Sequence, residues 1–207
     1  MIFKLLKPIL SKVKNIPGEP IRLTVDFDKI DLDIEGSEYS TKIETKLLCW
    51  LLTKVNGNYI ELGVNKGATA KNICLTNPGK IIYGVDLVKN STMHLIQLDE
   101  QPTENEVAKE CINEQNFQLI LANSQTVKLP EDIGLVFIDA DHTYEGVRKD
   151  TENVLKQVSP GTLLVWHDYH PEPENNYANV YKYINELMHS MKLYQIEGTW
   201  LVIGVKI

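Results

Sequence analysis

The sequence predicts an α/β protein built on an open, doubly wound sheet with helices on both faces. Three observations predict it. Short apolar runs, NYIEL (58–62), KIIYGVD (80–86), FQLILA (117–122), GLVFID (134–139) and TLLVWHD (162–168), suit strands buried on both faces of a parallel sheet. Each of the first four is followed by a stretch that can be helical, and this alternation argues right-handed crossovers. Polar residues crowd at the carboxyl ends of the runs, where such sheets bind ligands.

Taken in order, residues 1–36 carry Pro8, Pro17, Gly18 and Pro20 and read as irregular, with IRLTVDFDKIDLDI (21–34) either an edge hairpin or a surface segment. This N-terminal extension is expected to act as a lid, a docking helix or an oligomer contact, and a homo-oligomer is one expected assembly. The main domain is expected over 37–207. It opens on a helical stripe of Ile43, Leu47, Leu48, Trp50, Leu51, Leu52 and Val55, with Ser37 or Ser40 as cap and Asn56–Gly57 as its end. After the fifth run, NNYANVYKYINELMHSM (175–191) places Val180, Tyr183, Ile184 and Leu187 on one helical face. In KLYQIEGTWLVIGVKI (192–207), the turn Glu197-Gly198-Thr199 predicts a hairpin and so an antiparallel last pair.

Composition narrows the function. The 207 residues are 43% hydrophobic and 24% charged, enough for one sizeable core. A net charge of −7 argues against general nucleic-acid binding. Met1 to Lys14 holds four lysines and no acid, which leaves the rest at about −11. No apolar run has the length of a transmembrane segment, and MIFKLLKPIL, broken by Lys4, Lys7 and Pro8, does not read as a secretory signal. Cys49, Cys74 and Cys111 are odd in number, widely spaced and without metal-type spacing, so they read as reduced core thiols of a cytoplasmic protein.

YIELGVNKGATAKNICL (59–75) sets the ligand class. Gly63 ends the first run and Gly67 opens a helix, which permits positive φ and an approach to bare backbone beside free helix N–H groups. A dinucleotide loop needs a further glycine where Val64 and Asn65 stand, so a diphosphate would meet side chains. Glu61 adds a negative charge where phosphate would meet repulsion. A phosphate-free adenosyl ligand with cationic groups fits better, and S-adenosylmethionine is such a ligand. Asp86, 23 residues beyond Gly63, stands where an acid binds ribose hydroxyls.

The fourth run ends on Asp139, Asp141 and His142, and the fifth on His167, Asp168 and His170. Adjacent strands lie about 4.8 Å apart, so the two ends can converge on one ion. Carboxylates with imidazole suit Mg²⁺, Mn²⁺ or Zn²⁺ more than Ca²⁺. The alternative is a metal-free polar site in which Asp139 contacts a cofactor amino group, Asp141 or Thr143 caps the next helix, and His167 is a core histidine bonded to Asp141.

Together YIELGVNKGATA, GVDL, FIDADHTYEGVRKD and LLVWHDYHP resemble class I S-adenosylmethionine-dependent methyltransferases. Within them, the chain from 37 to 207 is most similar to the small O-methyltransferase-like group typified by cephalosporin-hydroxylase-like and macrolide-sugar methyltransferases. The resemblance implies a Rossmann-like seven-stranded sheet of order 3-2-1-4-5-7-6 with strand 7 antiparallel. It implies that Glu61, Gly63, Asn65 and Gly67 line the methionine end of the cofactor and that Asp86 holds the ribose. Asn123 and Ser124, in LANSQ, would lie beside the adenine. In metal-dependent relatives, by position, Asp139, His167 and Asp168 would hold Mg²⁺, with a histidine in place of a carboxylate or carbonyl ligand. Asp139, His142 and His170 are the catalytic candidates. One of the histidines would be the base, because Thr143 and Tyr144 occupy the stretch where catechol-type relatives carry a lysine. HPEPENNYANVY (170–181) suits a sugar or other hydroxylated small-molecule acceptor. A metal-dependent hydrolase and a non-catalytic adenosyl-ligand-binding protein are the competing expectations.

Overall fold

Nine strands form a single sheet in the computed structural model, which describes residues 1–34, 40–87, 103, 105–170 and 178–207. In chain order they are β1 (Leu10–Lys14), β2 (Ile21–Val25), β3 (Asn58–Leu62), β4 (Ile82–Asp86), β5 (Phe117–Leu121), β6 (Ile133–Ile138), β7 (Leu163–Trp166), β8 (Tyr194–Ile196) and β9 (Val202–Val205). The helices are α1 (Ile2–Leu6), α2 (Lys42–Thr53), α3 (Ala68–Thr76), α4 (Tyr144–Gln157) and α5 (Ala178–Leu187).

The spatial order is β1-β2-β8-β9-β7-β6-β3-β4-β5. Seven consecutive strands, β5-β4-β3-β6-β7-β9-β8, run in the expected order, and β9 is antiparallel to both β7 and β8. The expected count of seven is corrected to nine. The extra two come from the segment read as irregular, where β1 and β2 form an antiparallel hairpin and β2 pairs in parallel with β8. The reason is burial: Leu23 and Val25 of β2 face the core, and main-chain bonding to β8 covers an edge that would otherwise stay open.

Strands β3, β6 and β7 are buried on both faces, and their side chains divide by the two-residue period of a strand. Tyr59, Leu135, Phe137, Leu163 and Val165 face one core with α1, α2, α3 and the N-terminal hairpin. Ile60, Leu62, Val136, Ile138, Leu164 and Trp166 face the other, with α4 and α5. Ile2, Leu6, Ile9, Ile30 and Ile34 also belong to the first core, so the described N-terminal residues are packed onto the sheet. The one polar atom of the Trp166 ring donates to Thr151 Oγ1 at 2.8 Å, which avoids the roughly 1–3 kcal/mol cost of an unpaired buried donor.

Helix α2 starts with a capping box, Thr41 as N-cap and Glu44 closing it, rather than at Ser40; Ser37 lies outside the described residues. The helix expected after β4 falls largely on residues 88–102 and 104, outside those described. No helix forms among the described residues between β5 and β6. There Asn123 Oδ1 accepts from Gln125 N at 2.9 Å and turns the chain, and Pro130 cannot donate to a helical ladder. All three cysteines are free and buried, Cys49 in α2, Cys74 in α3 and Cys111 in a turn instead of the expected helix. Burial pushes the Cys49 thiol up to about 11 and that of Cys74 to about 12, so both are inert at neutral pH. Among the described residues no helix is long and apolar enough to cross a membrane.

Candidate active site

The carboxyl ends of β3, β4, β6 and β7 are neighbours in the sheet, so the residues just beyond them share one edge. Gly63 leaves β3 with φ 89°, and a Cβ there would lie 2.1 Å from the Asp139 carbonyl oxygen. Gly67 caps α3, also at φ 89°, and its Cβ would meet Cys111 Sγ at 2.5 Å. On that side both glycines are covered by the protein's own atoms, so close packing of the loop demands them as much as any ligand does. Between them Asn65 takes a left-handed φ of 47°. Its carbonyl accepts from Ala108 N at 2.6 Å, while its own N–H donates to Asp86 Oδ2 at 2.6 Å.

Asp86 ends β4, and its second oxygen accepts from Leu87 N at 2.6 Å. Burial pushes its carboxyl up to about 6, against the pull of the Asn65 and Leu87 amides. Each oxygen keeps a lone pair for a further donor. Glu61 lies on the Tyr59 face of β3 and accepts the Tyr59 hydroxyl at 3.2 Å. Burial, then the nearby Asp139 charge, pushes the Glu61 carboxyl well above the usual carboxylate range.

The β6 and β7 ends are different in kind, because two histidines bracket two aspartates. His167 Nδ1 lies 3.3 Å from Asp139 Oδ1 and 3.1 Å from Asp168 Oδ1. His142 Nε2 lies 3.4 Å from Asp139 Oδ1 and 3.2 Å from Asp168 Oδ2. Asp168 turns back toward this cluster through a left-handed φ of 59°, a conformation aspartate tolerates better than most residues. The other nitrogen of His167 lies 3.5 Å from Glu44 Oε2. Burial works against the charged form of both rings. The facing Asp139 and Asp168 overcome it, lifting His142 to about 9, and with Glu44 they lift His167 well above the ordinary imidazole value. Burial would likewise raise Asp139, but the two rings hold it below the usual range. Glu44 is drawn to about 2: His167 and the Trp200 amide outweigh its burial.

Asp139, His142 and Asp168 offer one donor atom each, all within 4.8 Å of one another, a spacing that suits a shared divalent ion. The structure thus brings Asp139 and Asp168 together with both histidines, and His142 is the one whose donor atom joins the compact group. The His170 ring meets Trp200 edge-on at 5.1 Å between centroids, and its main-chain N–H donates to the Asp168 carbonyl at 2.8 Å. Asn123 and Ser124 sit in the turn after β5, where the Ser124 carbonyl accepts from Asn153 Nδ2 at 2.9 Å. Asp141 accepts from Thr143 N at 3.0 Å, and Thr143 in turn caps α4. The alternative partner for His167, Asp141, is replaced by Asp139, Asp168 and Glu44. Sequence reading missed Glu44 and Trp200. The Thr41-x-x-Glu44 pattern is visible as a capping box, but it carries no sign that the carboxylate also reaches the site.

A model of a family described as a methyltransferase domain matches residues 60–169, just over half of the chain, from the glycine loop through both histidine-bearing strand ends. This chain belongs to that methyltransferase family. The methyltransferase assignment read from its motifs is borne out, and the chain is an enzyme of that family. No curated protein sequence matches it. Among solved structures, the methyltransferase PaMTH1 of Podospora anserina, bound to S-adenosylhomocysteine, is 13% identical, with 81% of this chain and 79% of that one covered at a TM-score of 0.56. The apo form of CalS11, a TDP-rhamnose 3'-O-methyltransferase of calicheamicin biosynthesis, is 16% identical over 79% and 77% of the chains, TM-score 0.53. The N-methyltransferase NodS of Bradyrhizobium japonicum WM9 is 15% identical over 77% and 89%, TM-score 0.51. At these identities the likeness is one of fold.

Proposed function

We propose that this methyltransferase transfers the methyl group of S-adenosylmethionine to an oxygen of a hydroxylated small molecule, a sugar being the favoured class. The observation that carries this reading is the pairing of Asp139 and Asp168 with His142 and His167 beside the Glu61–Asp86 edge: groups able to bind and deprotonate a hydroxyl stand next to groups suited to a cationic adenosyl donor. The likeness of fold to a TDP-rhamnose 3'-O-methyltransferase supports the sugar class.

In this reading Asp86 accepts both ribose hydroxyls, Glu61, Gly63, Asn65 and Gly67 surround the methionine end, and Asn123 and Ser124 flank the adenine. The acceptor oxygen forms its bond to the methyl carbon as the sulfur–carbon bond breaks, in line, so alignment supplies much of the rate. The hydroxyl proton passes to Nδ1 of His142, since Nε2 is buried against Asp139 and Asp168 while the side chain as a whole is 38% exposed. Held near 9 by its two aspartates, His142 is the better base the more alkaline the solution. His170, on the Trp200 side, is the alternative base. A divalent ion, Mg²⁺ in the first instance with Mn²⁺ or Zn²⁺ as alternatives, would be held by Asp139, Asp168 and His142, would supply Lewis acidity to the acceptor hydroxyl, and would leave His170 as the base.

Incubation with S-adenosylmethionine and a panel of nucleotide sugars, free sugars, catechols and amines, read by mass spectrometry with and without a chelator, tests the reading. O-methylated sugar is the expected product. Methylation of amines alone would overturn the oxygen assignment, and full activity in chelator would remove the metal from it.

A further inference from the structure

We infer that Glu44 is a positioning residue of the site: its carboxylate, carried by the first turn of α2, holds the His167 ring with Nε2 toward the helix and Nδ1 between Asp139 and Asp168. The geometry starts from the capping box. Glu44 Oε2 accepts from Thr41 N at 2.9 Å and from the Thr41 hydroxyl at 2.8 Å, as helix capping requires. Capping employs only one edge of the carboxylate. Its other oxygen accepts from Trp200 N at 2.8 Å, 156 residues away in the β8–β9 turn. The side chain is buried, 3% exposed, and a carboxylate so far from water needs a polar partner at each open edge.

His167 is one such partner. Its Nε2 is buried without a hydrogen-bond partner of good geometry, and Glu44 Oε2 stands 3.5 Å away, an ion-pair distance. At the opposite end of the ring Nδ1 faces Asp139 and Asp168 at 3.3 and 3.1 Å. Turning the ring over would set ring carbons against all three carboxylates, so acids at both ends select one orientation. Phe137 and Trp200 flank it, with ring centroids 5.9 and 6.0 Å away. A ring whose two nitrogens both face carboxylates offers no lone pair outward, which leaves His142, with its more exposed side chain, as the histidine that meets the acceptor. That functional consequence rests on the methyl-transfer reading above; the orientation of His167 does not.

The test uses full-length protein with ¹⁵N-labelled histidine and long-range ¹H–¹⁵N correlation spectra at neutral pH, with His167 assigned by its loss in His167→Gln. The wild-type spectrum is expected to show hydrogen on Nε2 of His167. Glu44→Gln, which can still close a capping box, is expected to move both His167 ring nitrogens. Thr41→Ala, which removes the cap and keeps the charge, is expected to leave them in place. Unmoved signals in Glu44→Gln, equal movement in Thr41→Ala, or a hydrogen-free Nε2 in the wild type would each overturn the assignment, and the last holds even if Glu44→Gln fails to fold. Calorimetry on the same samples is expected to give S-adenosylhomocysteine affinities for Glu44→Gln within about threefold of wild type. A larger loss would place Glu44 in the binding machinery and overturn the positioning role. A wild-type protein that does not bind S-adenosylhomocysteine would sink the methyl-transfer reading while the His167 spectra still decide on Glu44.

Discussion

The two halves of the site edge handle buried acid in opposite ways. At the ends of β6 and β7 the chain brings its own cations: His142 and His167 stand against Asp139 and Asp168, and His167 also faces Glu44. At the ends of β3 and β4, Glu61 accepts from the Tyr59 hydroxyl and Asp86 from the Asn65 and Leu87 amides, all uncharged donors. Glu44 and Glu61 make the contrast sharp. They are buried alike, at 2% and 3% exposure, yet Glu44 is drawn down to about 2 while Glu61 is pushed well above the carboxylate range. Burial raises both, so the partner decides the sign. In the first half the chain's own histidines meet the acids, and under the proposed function a sulfonium and an ammonium would bring positive charge to the second.

The largest break of this comparison is His167→Ala. It leaves Asp139, Asp168 and Glu44 facing an empty position, and removing one partner of a buried charge cluster costs about 3–5 kcal/mol. Urea unfolding should show a loss of that size; a loss below about 1 kcal/mol would mean that the ring does not neutralise the acids.

A smaller effect separates the halves by pH. Asp86 is raised from 3.8 to about 6 by burial, so the folded protein binds this proton more tightly than the unfolded chain does. Its contribution to stability is therefore full below about pH 4 and is lost as pH rises through about 6. Glu44, depressed to about 2, has the opposite sign: its contribution is present above about pH 4.5 and is lost as pH falls toward 2. Asp150, buried in α4 and also raised to about 6 by its burial, adds to the Asp86 trend. Asp86→Asn should flatten the decline between pH 4 and 6 by about 1–3 kcal/mol, and Glu44→Gln should flatten the rise below pH 4.5; unfolding curves across the range check both.

Much of this contrast was legible before any coordinates. Glu61, Asp86, Asp139 and Asp168 follow directly from where apolar runs stop, because a strand end fixes the position of the next residue along the sheet edge. The terminal hairpin was legible from Glu197-Gly198-Thr199 for the same local reason. What escaped is long-range. Nothing near Leu23 announces its register partner Ile196 in β8, and Lys12 and Lys14 disguise β1 as surface coil. The glycines were read as room for a ligand; that the Asp139 carbonyl and Cys111 also lie where a Cβ would project is a long-range fact the sequence does not carry. Which histidine faces which acid depends on ring rotation, which strand ends do not specify: the sequence assigned His167 to the ion, whereas the compact donor group holds His142. Glu44 shows the limit best: its bonds to Thr41 are local and readable, and its bond to Trp200 is not.

The most direct measurement is calorimetric titration of wild type and Asp86→Ala with S-adenosylhomocysteine, with NADH as the control. The account predicts one-to-one binding to the wild type, an affinity about 10–100-fold weaker in Asp86→Ala from the loss of a charged hydrogen-bond acceptor, and no binding of NADH. Binding of NADH with none of S-adenosylhomocysteine, or an affinity indifferent to Asp86, would contradict it.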